Sequence, residues 1–128
     1  MTTLTVNERE VRLTNLQKLF WPDDGISKHD LVRYFIQVGP YLLRHLKDRP
    51  LTVQRVPEGI NGEGFYQKNV PDGSPSWLRT YAISHGEGKD TNYVVADNLE
   101  TLIWLGNQGC LELHPWLSSI STLDHPDF

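Results

Sequence analysis

The stretch SKHDLVRYFIQVGPYLLRHLKDRPLTVQR, residues 27–55, changes its hydrophobic period partway along, and that change decides the fold class. Ser27 is an N-cap residue type, and Asp30 supplies an acidic first turn. Leu31, Tyr34, Phe35, Val38, Leu42, Leu43 and Leu46 then recur at helical spacing. Gly39-Pro40 falls inside this run and predicts a kink or two abutting helices, because proline lacks a backbone donor and clashes with the preceding turn. Beyond Asp48-Arg49-Pro50 the period becomes two, with Leu51, Val53 and Arg55 on one face of a strand.

Working outward, Thr14 to Phe20 reads as a short helical turn ended by Trp21-Pro22, with turn chemistry at Asp23-Asp24-Gly25. On the other side, a Gly-rich loop from Pro57 to Gly64 leads to an extended segment, Phe65-Tyr66-Gln67-Lys68. Pro71 to Ser76 is a second loop, with a turn at Trp77-Leu78. Thr80 to Ser84 and Thr91 to Ala96 read as a strand pair. Asp97 and Glu100 have capping-box spacing ahead of a helix whose buried stripe is Leu99, Leu102, Ile103 and Gly106. Gly109 is a stop, and Leu111 to Trp116 is a last strand. The expected fold is α+β, a single domain over residues 1–128 with a short antiparallel or mixed sheet flanked by helices.

Composition bounds the function classes. The chain has 128 residues and is 38% hydrophobic and 22% charged, which argues against a disordered or repeat-built chain. No apolar run is long enough to span a bilayer, and the N-terminus carries neither a basic nor an apolar leader region, so a cytoplasmic protein is expected, nucleoid-associated if it is bacterial or archaeal. Cys110 is the single cysteine and forms no internal disulfide. The net charge of -4 hides an asymmetry. Residues 1–55 hold nine Lys/Arg against six Asp/Glu, a formal +3, and residues 56–128 hold three against ten, a formal -7. Either a phosphate-binding face or ordinary solvated helix surface gives such a split.

Three groups of residues carry candidate chemistry. Asn15 and Lys18 are three apart, on one face of the expected turn, and Lys28 opens the next helix, where free backbone N–H groups favour an anion. Two ammonium groups and an amide suit a terminal phosphate; solvated surface lysines are the alternative. Phe65 and Tyr66, followed by Lys68, combine aromatic and cation as single-strand recognition does, while Phe65 in the core is the alternative. Glu112 and His114 point the same way on a strand, as a carboxylate orienting an imidazole or as an ordinary edge pair. Phosphate-loop, dinucleotide, nucleophile-elbow and Cys-x-x-Cys motifs are absent. So is the Asp-x-Asp pair that two-metal nucleotidyl transfer needs.

Read in order, several blocks resemble one family. They are Leu13-Thr14-Asn15-Leu16-x-Lys18, Trp21-Pro22, Lys28-x-Asp30-Leu31, Tyr41-Leu42-Leu43 and Arg49-Pro50-Leu51-Thr52-x-x-Arg55. Gly64-Phe65-Tyr66-Gln67-Lys68-Asn69, Tyr93-Val94-Val95, Leu102-x-Trp104-Leu105 and Leu111-Glu112-Leu113-His114-Pro115-Trp116 complete the series. Together they resemble the primase-like polymerase domain of bacterial DNA ligase D, an end-joining enzyme that works with Ku. The resemblance implies that Asn15, Lys18 and Lys28 line a pocket for the 5'-phosphate at a DNA end or gap. It implies that Phe65 and Tyr66 stack on bases, and that Arg55, Lys68 and His114 lie in the active-site neighbourhood. It further implies divalent metal, Mn or Mg, held by an Asp-x-Asp motif that follows a segment like Asp124 to Phe128 and is not present in this sequence.

The expectation is therefore a DNA-end-binding module with no cofactor of its own and no polymerase activity alone. A split polymerase completed by a separately encoded acidic half is the alternative. Possible partners are Ku, a ligase, that missing half, or a second copy of the chain. An exposed apolar patch is expected around Leu111 to Trp116.

Overall fold

A computed structural model describes residues 2–84, 86 and 90–120, so the Asp124 to Phe128 segment lies outside the described residues. The change of period at residues 27–55 becomes helix α1, Lys28–Leu46, followed by strand β5, Leu51–Arg55. Ser27 closes a reciprocal capping box: its side chain accepts from the Asp30 N–H, and the Asp30 carboxylate accepts from the Ser27 N–H at 2.9 Å. Of the two expected outcomes, two abutting helices are not formed: α1 is one helix that runs through Gly39-Pro40. Pro40 and Ile36, whose carbonyl loses its helical donor, are both exposed, so water can replace the missing bond. Gly39 faces inward, where a Cβ would stand 2.7 Å from Leu99 Cδ1.

The described strands beyond residue 50 form one antiparallel sheet with β5 inside it. Strand β6 (Phe65–Gln67) and strand β8 (Asp90–Val94) pair along one side of β5, with β7 (Thr80–Ser84) beyond β8. Strand β9, Cys110–Pro115, pairs with its other side. Every described pairing is antiparallel, which settles the antiparallel-or-mixed expectation. Helices α1 and α2 (Leu99–Asn107) supply Leu31, Val32, Phe35, Leu102, Ile103 and Leu105 to the core shared with Leu51 and Val53. The helices meet closely because Gly106 opposes Phe35, whose Cδ2 would lie 2.8 Å from an added Cβ.

Two local expectations are corrected. Residues 14–20 are not helical. Asn15 takes the left-handed conformation at φ 53°, its carbonyl accepts from the Lys18 N–H at 3.0 Å, and the chain continues as β3, Leu19–Trp21. The ladder from β3 to β4 (Ile26–Ser27) outcompetes a helical turn that proline at 22 would have ended at once. Asn98, not Asp97, caps α2, its side chain accepting from the Thr101 N–H at 3.0 Å. Asp97 instead accepts from the Asp48 N–H at 3.1 Å and pairs with Arg79.

Glu100 leaves its expected capping role for a deeper one. It is 1% exposed and accepts from Arg9 at 3.0 Å and from Asn7 Nδ2 at 3.1 Å. Those residues belong to the hairpin of β1 (Thr2–Val6) and β2 (Arg9–Leu13), which the buried carboxylate fastens to α2. Asn107 adds a second tie, accepting from the Thr14 N–H at 2.9 Å and donating to the Arg12 carbonyl at 3.2 Å. Arg9→Ala leaves Glu100 buried with Asn7 alone. It is expected to lower stability by about 2 kcal/mol, seen as a lower denaturation midpoint at unchanged m-value.

Candidate nucleic-acid interface

Lys18 on the turn at Asn15, Lys28 at the start of α1 and Arg55 in β5 come near enough for the charges of Lys18 and Arg55 to act on Lys28. Lys28 is 5% exposed, and its ammonium donates to the Thr14 carbonyl at 2.6 Å and lies 3.4 Å from Thr14 Oγ1. Its pKa is pushed down from 10.5 to about 8 by burial first, then by the positive charges of Lys18 and Arg55. Lys18 and Lys28 therefore converge rather than diverge. Lys18 Nζ also donates to the Pro57 carbonyl at 3.2 Å and pairs with Glu58 at 3.1 Å. Asn15 is exposed, and its side-chain amide has no partner among the described residues; with Lys18 it borders an open concavity of about 590 Å³.

The first turn of α1 differs from its expected role. The Lys28 and His29 N–H groups donate to the Lys18 and Leu16 carbonyls at 2.8 and 2.9 Å, and the Asp30 N–H is taken by Ser27 Oγ. The helix terminus is spent on holding the 14–18 turn, so the side chains, not free backbone donors, define the cationic site.

Strand alternation separates the remaining candidates. Arg55 and Phe65 are register partners in β5 and β6, and the Arg55 guanidinium lies 5.3 Å from the centre of the Phe65 ring. Arg55 is held in place by the Gln108 carbonyl at 2.9 Å and Gln67 Oε1 at 3.2 Å. Tyr66 points to the opposite sheet face, where its ring centre is 6.0 Å from that of His114, and His114 Nε2 is 3.1 Å from Glu112. Phe65 is 45% exposed and Tyr66 is 63% exposed, so neither is a core residue. Being on opposite faces, they cannot stack as a pair on one base. Lys68 is exposed and has no partner among the described residues.

The sequence reading missed Thr14, Glu58, Gln67 and Gln108. Thr14 and Gln108 act through backbone carbonyls, which no side-chain pattern reveals. Glu58 carries the sign opposite to the cluster it joins. Among the described residues no three His, Cys, Asp or Glu side chains gather as a metal site. The Glu112–His114 pair does not make up the donor set of a two-metal centre, and no step is routed through a metal.

Comparison with known proteins fits this architecture. The family profile described as the LigD primase-polymerase domain matches residues 27–128, and the chain belongs to that family. The multifunctional non-homologous end joining protein LigD of Mycolicibacterium smegmatis is 35% identical over 104 residues, 81% of this chain and 14% of that protein. The bifunctional LigD of Bacillus subtilis is 36% identical over 105 residues, 82% of this chain and 16% of that protein. The chain thus spans a small part of the relatives it matches. The polymerase domain of Mycobacterium tuberculosis ligase D, solved in complex with DNA, superposes with a TM-score of 0.81 at 32% identity. That match covers 85% of this chain and 38% of the other.

The depressed Lys28 pKa rests on neighbouring charge as well as burial. Lys18→Met is expected to raise it from about 8 toward 10.5, because one of the cations that disfavours protonation is removed. Nitrogen NMR of the lysine ammonium groups across pH reads the shift directly; an unmoved titration would mean that the two amines do not interact.

Proposed function

We propose that this chain recognises a 5'-phosphorylated DNA end or gap, and that Asn15, Lys18 and Lys28 hold the phosphate. The carrying observation is the buried Lys28 ammonium, kept beside Lys18 and Arg55 with no carboxylate of its own among the described residues. Such a cluster is electrostatically unsatisfied, and an incoming dianion with several acceptor oxygens satisfies it. The family supports this reading, since a relative's polymerase domain was solved with DNA. Phe65, backed by Arg55, offers one exposed ring for a base at that end. Tyr66 and His114 belong to a second locus, on the other sheet face.

Lys18→Ala and Lys28→Ala are each expected to weaken binding to a 5'-phosphorylated gapped duplex about tenfold or more, with little change on the unphosphorylated duplex. Titrations of both duplexes decide the matter, and equal losses on the two would remove the phosphate pocket.

Glu58 competes for Lys18 and is 72% exposed at its side chain, so it is free to swing away. Glu58→Gln is expected to tighten binding to phosphorylated ends several-fold. Unchanged affinity would show that the ion pair does not oppose the ligand.

The pH profile carries a sign. A phosphate monoester becomes a dianion above about pH 6, and the free protein's Lys28 loses its proton above about 8. The phosphate-dependent increment is expected to rise through the first value and to decline beyond the second. In Lys28→Met the upper limb should vanish along with most of the increment.

A further inference from the structure

The end of α2 holds the cationic cluster from behind, through Asn107, Gln108 and Gly109 in succession. The Asn107 amide grips the backbone just past β2 by both of its polar groups. Its Oδ1 accepts from the Thr14 N–H at 2.9 Å, and its Nδ2 donates to the Arg12 carbonyl at 3.2 Å. One side chain thereby does what the peptide of a neighbouring strand would do. The Gln108 carbonyl accepts from Arg55 Nε at 2.9 Å. The Gly109 carbonyl accepts from the Val56 N–H at 2.8 Å, next to Pro57, whose own carbonyl accepts from Lys18 Nζ at 3.2 Å.

Gly109 makes this meeting possible. It ends the helix at φ 77°, and a Cβ there would stand 3.1 Å from the Val56 carbonyl oxygen, so a side chain would push the two backbones apart. A helix end also leaves carbonyls without intrahelical donors and carries the negative end of the helix dipole. Cations packed against it meet partial negative charge, yet among the described residues no carboxylate pairs with Lys28 or Arg55. The cluster is held in shape and keeps its capacity for an anion.

Of the three ties, the one from Asn107 leads to the most buried cation. Thr14 transmits it: its N–H is bound by Asn107, and its carbonyl accepts from the Lys28 ammonium at 2.6 Å. The left-handed turn at Asn15 follows at once. We infer that Asn107 is a positioning residue of the phosphate site: without touching the ligand, it fixes the Thr14 backbone and so sets where the Lys28 ammonium is presented. The functional half of this inference rests on the phosphate reading above, and the structural half rests on the Thr14 geometry alone.

The test compares two variants of the 128-residue chain that each cut a tie between the hairpin and α2. Asn107→Ala cuts the tie at Thr14, and Arg9→Ala cuts the tie to Glu100 at the far end of the hairpin. Alanine is the better helix former, so Asn107→Ala is expected to fold; should it lack a cooperative melt, Asn107→Ser, too short to reach both groups, takes its place. The first readout is the ratio of affinities for 5'-phosphorylated over unphosphorylated gapped duplex. It is expected to fall about fivefold in Asn107→Ala and to hold in Arg9→Ala. In a Lys28→Ala background, Asn107→Ala should change the ratio no further. The second readout is NMR exchange of the Lys28 ammonium protons with water, in mildly acidic buffer without DNA. Exchange is expected to quicken several-fold in Asn107→Ala. It should stay near that of the unaltered chain in Arg9→Ala and in Asn107→Asp, which keeps an acceptor for the Thr14 N–H. Asn107→Ala and Arg9→Ala behaving alike in either readout, or the effects of Asn107→Ala and Lys28→Ala adding in full, overturns the inference. So does exchange in Asn107→Asp as fast as in Asn107→Ala. A failure of the phosphate reading shows itself differently, as Lys28→Ala weakening both duplexes equally, and it removes the role of Asn107 in binding whatever the ammonium exchange does.

Discussion

Keeping the Lys28 ammonium out of water, bound to a carbonyl rather than a carboxylate, is the constraint around which the N-terminal half is built. A buried amine costs free energy in its charged form, and two neighbouring cations add to that cost. The surroundings hold it nonetheless. Asn15 adopts a left-handed conformation that aims the Thr14 carbonyl at Nζ, and the first amides of α1 clamp the same turn through Leu16 and Lys18. The hairpin leading into Thr14 is fixed in turn by Glu100 and Asn107 of α2. An arrangement that spends its capping donors to hold a destabilised cation makes physical sense where an anion arrives from outside. On the proposed reading it trades folding stability for that ligand.

The sheet divides its functional side chains by parity. Arg55, Phe65 and Gln67 lie on the helix-covered side of β5 and β6, with Arg55 locked by Gln108 from the end of α2. Tyr66, Glu112 and His114 lie on the other side, placed by register opposite Gln54 and Thr52. On the proposed reading, a nucleic-acid strand at Phe65 and one at Tyr66 would therefore run over different surfaces, related across the thickness of one sheet. The rigid element between them is β5, paired along both sides, so the two loci hold a fixed spacing although each is exposed.

Much of this was legible in the sequence wherever one strong local signal acted alone. The helical run after Ser27, the strand at Leu51–Arg55 and the stop at Gly109 all carry periodicity or backbone chemistry that tertiary structure had no reason to override. Legibility failed where two local solutions compete. Asp97 and Asn98 both cap helices well, and the choice fell to Asn98 because Arg79 and the Asp48 amide claim Asp97 from elsewhere in the chain. The 14–20 segment has helical composition, yet its partner is a two-residue strand after a proline turn that periodicity cannot see. In the site, Lys18 and Lys28 were readable as a pair, whereas the carbonyls that orient them were not. Whether Phe65 and Tyr66 act together was answerable by strand alternation alone.

Net charge shows the same difference between composition and placement. A chain at -4 is an unpromising partner for a polyanion on that number alone. Yet several of the described acidic residues are committed to structural work. Glu100 lies beneath Arg9, Asp48 and Asp97 flank Arg79, Asp30 caps α1, and Glu112 faces His114. Around Lys18, Lys28 and Arg55, Glu58 is the carboxylate that makes a direct contact, and it reaches Lys18 from a loop side chain that is mostly in solvent. The field a phosphate would meet at the Asn15 turn is set by these few near charges. Carboxylates on distant surfaces lie beyond a screening length of about 8 Å at physiological salt and scarcely weigh on it.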